Sequence, residues 1–195
     1  MKWIIKATIQ KFLSLIPFGF KINQIIKHIR GTEEEPADYY TTFYRLMILE
    51  DLIKHFGSDF KSKKILELGS GWSVEMPALA YVYGFNNYCM SDISFLIRDR
   101  SIKAKLSTLI NAINKASKIY SNEYPFKIFH DNMMLKKLEE VSKIETFSQF
   151  LNKTKYKYLY PIGINSIKSS YDAIISINTL EHIPPPLLER AFCKY

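Results

Sequence analysis

The sequence predicts an α/β domain built on a parallel sheet, and three stretches carry that prediction. "KKILEL", Lys63 to Leu68, is a short apolar run closed by a Gly-Ser-Gly turn, and a helical pattern of Met76, Leu79, Ala80 and Tyr83 follows up to Gly84. "NYCMSDIS" reads as the next strand and turn, and the spacing from Leu68 to Met90 suits a right-handed parallel crossover. "YDAIISINTLEHIPPP" supplies a further buried strand, Ala173 to Ile177, with a loop or helix start behind it.

Residues 1–36 read as a basic amphipathic helical arm. Ile5, Ile9, Phe12 and Ile16 recur at helical spacing until Pro17 breaks the pattern, and Ile22, Ile25, Ile26 and Ile29 repeat it up to Gly31. Lys2, Lys6, Lys11, Lys21, Lys27 and Arg30 all precede the first acid, Glu33. The apolar faces either pack on the body of the domain or dock on an anionic membrane surface, and the pattern fits both. "FLSLIPFGF" has the length of a signal-peptide apolar region, but Pro17 and Lys21 interrupt it and no small-residue cleavage site follows, so it is read as retained. No apolar run approaches the roughly 20 residues that cross a bilayer.

The domain proper is placed at 37–195. After the polar entry "TEEEPADYY", a helix is predicted with Tyr40, Phe43, Tyr44, Met47, Ile48, Leu52 and Phe56 on one face and Gly57 as its stop. Residues 95–150 read as a lysine-rich helical insertion with Leu106, Leu109, Ile110 and Ile113 on one face. The third strand is either "FKIFH", Phe126 to His130, or "YKYLY", Tyr156 to Tyr160. The second is preferred because it leaves about a dozen residues before the fourth strand, which suits a short crossover. The alternation of Lys with Tyr over 153–160 is that of a half-exposed strand, or of aromatics interleaved on a nucleic-acid surface.

A chain of 195 residues can bury roughly 70% of the surface its unfolded form exposes, and 47% hydrophobic with 24% charged residues is a globular composition. Two cysteines, Cys89 and Cys193, without C-x-x-C spacing argue against a disulfide framework or structural zinc. They point to a reducing, cytoplasmic setting, and no metal is expected. The net charge of +8 speaks to steering and solubility, not to fold.

A glycine turn between a parallel strand and a helix lets a ligand approach the backbone, because no side chain blocks it. The dinucleotide fingerprint needs a third glycine, whereas the series from Gly69 runs Gly, Ser, Gly, Trp, Ser, Val74. Glu67, two residues before the first glycine, would set a carboxylate against a pyrophosphate. It suits a cationic ligand instead.

On these residues "ILELGSGWS" resembles motif I of class I S-adenosylmethionine-dependent methyltransferases, an acidic residue followed by x-G-x-G-x-G, with Ser73 in place of the third glycine. The resemblance implies a Rossmann-like methyltransferase sheet with S-adenosylmethionine as cofactor. Glu67 would anchor its methionine end, and Gly69, Ser70 and Gly71 would face it. Trp72 would either flank it or pack beneath the turn. Asp92, in "CMSDIS", falls where the family's acid accepts hydrogen bonds from both ribose hydroxyls. "YDAIISINTLEHIPP" is similar to the motif IV region, which implies that Asn178 lies near the cofactor. His182 and Glu181 are candidates for a catalytic base, set against a packed, hydrogen-bonded role at a strand-to-helix corner. The adenine contact falls to Ile162 and Gly163 after Pro161, or to Asp131 if "FKIFH" is the strand.

More narrowly, "IQKFLSLIPFGFKINQIIK", "ELGSGWSVEMP" and "LEHIP" resemble methyltransferases encoded with bacterial surface-polysaccharide genes. That implies a sugar hydroxyl or related small acceptor and a role in surface-polysaccharide biosynthesis. "IPPP" lacks the Asn-Pro-Pro-Tyr type of sequence of amino-group DNA methyltransferases, which disfavours one nucleic-acid route. Two rival readings are a non-catalytic S-adenosylmethionine-binding remnant and an RNA methyltransferase. The family's sheet has seven strands, and 18 residues follow Ile177. The expectation is therefore a domain truncated after its fourth strand, poorly soluble and weakly active, or completed by another polypeptide.

Overall fold

A four-stranded, all-parallel sheet organises the molecule. The computed structural model describes residues 36–92, 95–161 and 170–177, which belong to one compact unit beginning at Pro36. The expected helices of the arm, together with Ile162, Asn178, Glu181, His182 and Cys193, lie outside the described residues.

The chain enters through helix α1, Tyr39–Phe56, whose N-cap Asp38 accepts the Thr41 N–H at 2.9 Å. Gly57 ends it at φ 60°, with its N–H donating to the Ile53 carbonyl. A 3-10 segment, Gly57–Ser62, leads into β1, Lys64–Leu68. Helix α2, Glu75–Tyr83, follows the glycine turn and stops at Gly84, left-handed at φ 96°, whose N–H reaches the Ala80 and Tyr81 carbonyls. Then come β2, Asn87–Ser91, and helix α3, Asp99–Tyr120. Helices α4, Asn132–Ser142, and α5, Phe147–Thr154, precede β3, Lys157–Leu159, and β4 is Ala173–Ser176.

Strand periodicity divides the apolar residues between two faces. Ile65, Tyr88, Met90 and Ile175 form one continuous core with Leu46 and Leu49 of α1, Leu79 of α2, Leu106 of α3, Leu138 of α4 and Phe150 of α5. All five described helices thus contribute to the same cluster. Leu66, Leu68 and Cys89 form a second, smaller cluster with Leu159 and Tyr171. At the start of β4, Asp172 staples the sheet: its carboxylate accepts the Lys64 N–H at 2.7 Å and its own N–H donates to the Lys64 carbonyl at 2.8 Å.

One expectation needs correction, and one open alternative is decided. The face of α1 that enters the core holds Thr42, Phe43, Leu46 and Leu49, whereas Tyr40 and Tyr44 are about half exposed and bond to each other. Apolar residues occupy most of that helix's circumference, so periodicity alone does not choose the side that the sheet covers. "FKIFH" is not a strand: Lys127–Phe129 is a 3-10 turn, and Asp131 behind it caps α4 by accepting the Met133 and Met134 N–H groups. That removes Asp131 as an adenine contact at a strand end. Asp131→Ala is expected to destabilise by about 1 kcal/mol, a fall in Tm of roughly 2–4 °C in thermal unfolding.

Candidate functional site

Strand order places the site. From β1 the chain moves outward to β2 and β3 and then returns to β4 on the other side of β1, so the crevice beyond the carboxyl ends of β1 and β4 is a topological switch point. The glycine turn opens at that point. Gly69 and Gly71 both have left-handed φ, 70° and 62°. The Gly69 and Ser70 N–H groups donate to the Ser91 carbonyl at 2.9 and 3.1 Å, so the turn hangs on the end of β2.

Two carboxylates bracket this turn. Glu67, at 5% exposure, points from β1 into the helix-covered side and accepts the Ser70 hydroxyl at 3.1 Å. Asp92, at 7%, follows β2, accepts the Gly71 N–H at 2.9 Å and donates its own N–H to the Leu159 carbonyl at 3.1 Å. The structure therefore brings together Glu67, Ser70, Gly71 and Asp92, four of the residues singled out in the sequence. Trp72 is half-buried, and its carbonyl accepts the Ser101 hydroxyl at 2.8 Å, which ties the start of α3 to the turn. Ser73, in the position of the absent glycine, accepts the Glu75 N–H at 3.2 Å and donates to its carboxylate at 2.7 Å. A serine here serves the helix start, where a glycine would serve only close approach.

Burial pushes Glu67 up to about 7, against the opposing pull of the Ser70 and Tyr88 hydroxyls and of the Arg45 charge, while Asp92 adds to the rise. The Tyr88 hydroxyl faces this carboxylate outside full hydrogen-bond geometry. Arg45 and Glu75 were not anticipated. The Arg45 guanidinium stands 3.3 Å from the Glu75 carboxylate, with the Glu75 side chain 2% exposed. A signal was present, because Thr42, Arg45, Leu46 and Leu49 share one helical face at i, i+3, i+4 and i+7, which places a charge within the buried stripe.

Beside Asp92 lies an open aromatic groove of about 460 Å³, lined by Phe95, Phe147, Leu151, Tyr158 and Tyr160 with Ser148 and Asn152. The Phe95 ring packs 5.0 Å from Tyr160 and 5.7 Å from Tyr158, centroid to centroid, and Phe95 and Tyr160 are each half exposed. The Tyr158 hydroxyl is pushed up by burial and by the Asp92 charge. Only the Lys/Tyr alternation hinted at this surface. Among the described residues no three His, Cys, Asp or Glu side chains gather as metal ligands, and no helix is long and apolar enough to cross a membrane.

No protein-family model, no curated protein and no solved structure matches this chain. Any assignment must therefore come from the chemistry of the turn. Space beside Gly71 is open, since a Cβ built there meets nothing nearer than the Gly69 carbonyl oxygen at 3.8 Å. Gly71→Ala is expected to cost roughly 1–2 kcal/mol through its left-handed φ alone, read as a lowered midpoint in urea unfolding.

Proposed function

We propose that the turn binds S-adenosylmethionine and that the chain transfers its methyl group to a small acceptor, through an oxygen or nitrogen atom. The observation that carries this reading is the pairing of Glu67 and Asp92 around two left-handed glycines at the ends of adjacent parallel strands. A buried carboxylate beneath the turn suits a ligand with positive charge at that point and opposes a pyrophosphate. The second carboxylate is already oriented by the Gly71 N–H, and a carboxylate is an acceptor of more than one hydrogen bond, as a vicinal diol requires.

The residues present fit the ligand's three parts. Glu67 meets the cationic methionine end, and Asp92 accepts the ribose hydroxyls. The exposed Phe95 and Tyr160 rings offer a stacking surface to the base. A bound donor would supply a sulfonium methyl to the acceptor's oxygen or nitrogen, leaving a neutral thioether, with the acceptor's proton passing to a base. The work of the protein is then orientation and exclusion of water, with proximity as the main catalytic effect. A sugar hydroxyl is the acceptor favoured by the sequence resemblance.

Calorimetric titration of the full chain with S-adenosylmethionine tests the reading. Saturable binding at one site, with a weaker or absent response to a nicotinamide dinucleotide, is expected. No binding, or preference for the dinucleotide, would refute it.

A further inference from the structure

The aromatic groove is continuous with the acid that closes β2. Asp92 donates its N–H to the Leu159 carbonyl at 3.1 Å, and the residues on either side of Leu159, Tyr158 and Tyr160, both line the groove. Its rings pack on one another. Tyr158 and Tyr160 stack at 5.8 Å, Phe95 lies 5.0 Å from Tyr160 and 5.9 Å from Phe147, and Phe147 meets Tyr158 edge-on at 5.3 Å. Such a surface holds a planar ring by its face and does not choose among rings, because every base has a π-face.

Helix α5 supplies what the rings lack. Phe147, Ser148, Leu151 and Asn152 line the groove from one side of that helix, at i, i+1, i+4 and i+5. The helix is firmly placed. Its Thr146–Gln149 capping box is complete, and the Phe147 N–H donates to the Asp99 carboxylate at 2.8 Å, which ties it to the start of α3. Ser148 and Asn152 are exposed, and among the described residues no hydrogen bond or ion pair engages either side chain. A carboxamide carries an acceptor and two donors, so at the rim of a stacking surface it is equipped to pair with the edge of a base.

We propose that Asn152 is the specificity-determining residue for the base: its carboxamide oxygen accepts from the exocyclic amine of adenine while its NH2 donates to the adjacent ring nitrogen. This deepens the function proposed above and rests on it, since the base is that of the donor whose ribose meets Asp92. The rings provide affinity for any base, and Asn152 provides the choice of adenine.

The test sets S-adenosylmethionine against its analogue with unsubstituted purine, which keeps every ring nitrogen and lacks only the exocyclic amine. In titration calorimetry of the full chain, the analogue is expected to bind wild type about five- to tenfold more weakly, the effect of one lost hydrogen bond. Asn152→Leu keeps the size of the side chain and removes its polar atoms, so the two ligands should then bind within about twofold of each other. Asn152→Ala should erase the preference in the same way without filling the groove. Because Asn152 is exposed, both variants should melt close to wild type. Equal binding of the two ligands by wild type, or a preference for adenine that survives in both variants, overturns the proposal and leaves the methyl-donor site standing. A wild type that binds neither ligand refutes both readings.

Discussion

Asp92→Ala is expected to weaken S-adenosylmethionine binding by at least about a hundredfold. A ribose diol donating two hydrogen bonds to a carboxylate gains about 1.5–3 kcal/mol from each, and 1.4 kcal/mol corresponds to a factor of ten. The same substitution removes the acceptor of the Gly71 N–H, so the loss includes some slackening of the turn itself. Asp92→Asn separates the two effects. Its amide oxygen can still accept the Gly71 N–H but offers a weaker, neutral acceptor to the diol, so its affinity should fall between wild type and Asp92→Ala. Titration calorimetry of the three proteins, with thermal unfolding alongside, makes the comparison; equal affinities in all three would remove Asp92 from the site.

Glu67→Gln should make the ligand-free protein more stable above neutral pH while weakening ligand binding. Burial raises the folded-state value of Glu67 from 4.5 to about 7, so the folded chain holds the proton more tightly than the unfolded one. The resulting stability is fully present below pH 4.5 and is lost as pH rises through about 7. At about 1.4 kcal/mol for each unit, the loss is on the order of 3 kcal/mol. Glutamine does not titrate, so chemical unfolding at pH 5 and pH 8 should show this part of the pH dependence in wild type and not in the variant. Binding of the cationic ligand should run the other way, strengthening as pH rises through 7 in wild type and staying flat and weak in Glu67→Gln. A parallel pH dependence of stability in both proteins would show that Glu67 does not titrate with folding. The opposed trends describe an acid retained at a cost to stability, as functional sites often are.

Much of this architecture could be read in advance. "KILEL" and "NYCMS" form the expected adjacent parallel strands, and the preferred "YKYLY" stretch contains β3. Glu67, Ser70, Gly71 and Asp92 come together as their spacing implied, because a strand end and the turn after it are local features that strand pairing brings side by side. The buried face of α1 was not legible, because it depends on which neighbour covers the helix, and helical spacing does not encode that.

The sequence by itself determined the strand–turn–helix grammar, the left-handed glycines and the two acids flanking them, since these follow from periodicity, from the missing Cβ and from residue chemistry within a few positions. Tertiary structure decided the order β3-β2-β1-β4, the aromatic groove beside Asp92 and the approach of Arg45 to Glu75. Arg45 and Glu75 sit on different helices with β1 between them in the chain, and the charge state of a carboxyl depends on the water it loses and the ions it meets. Those quantities exist only once distant segments have packed.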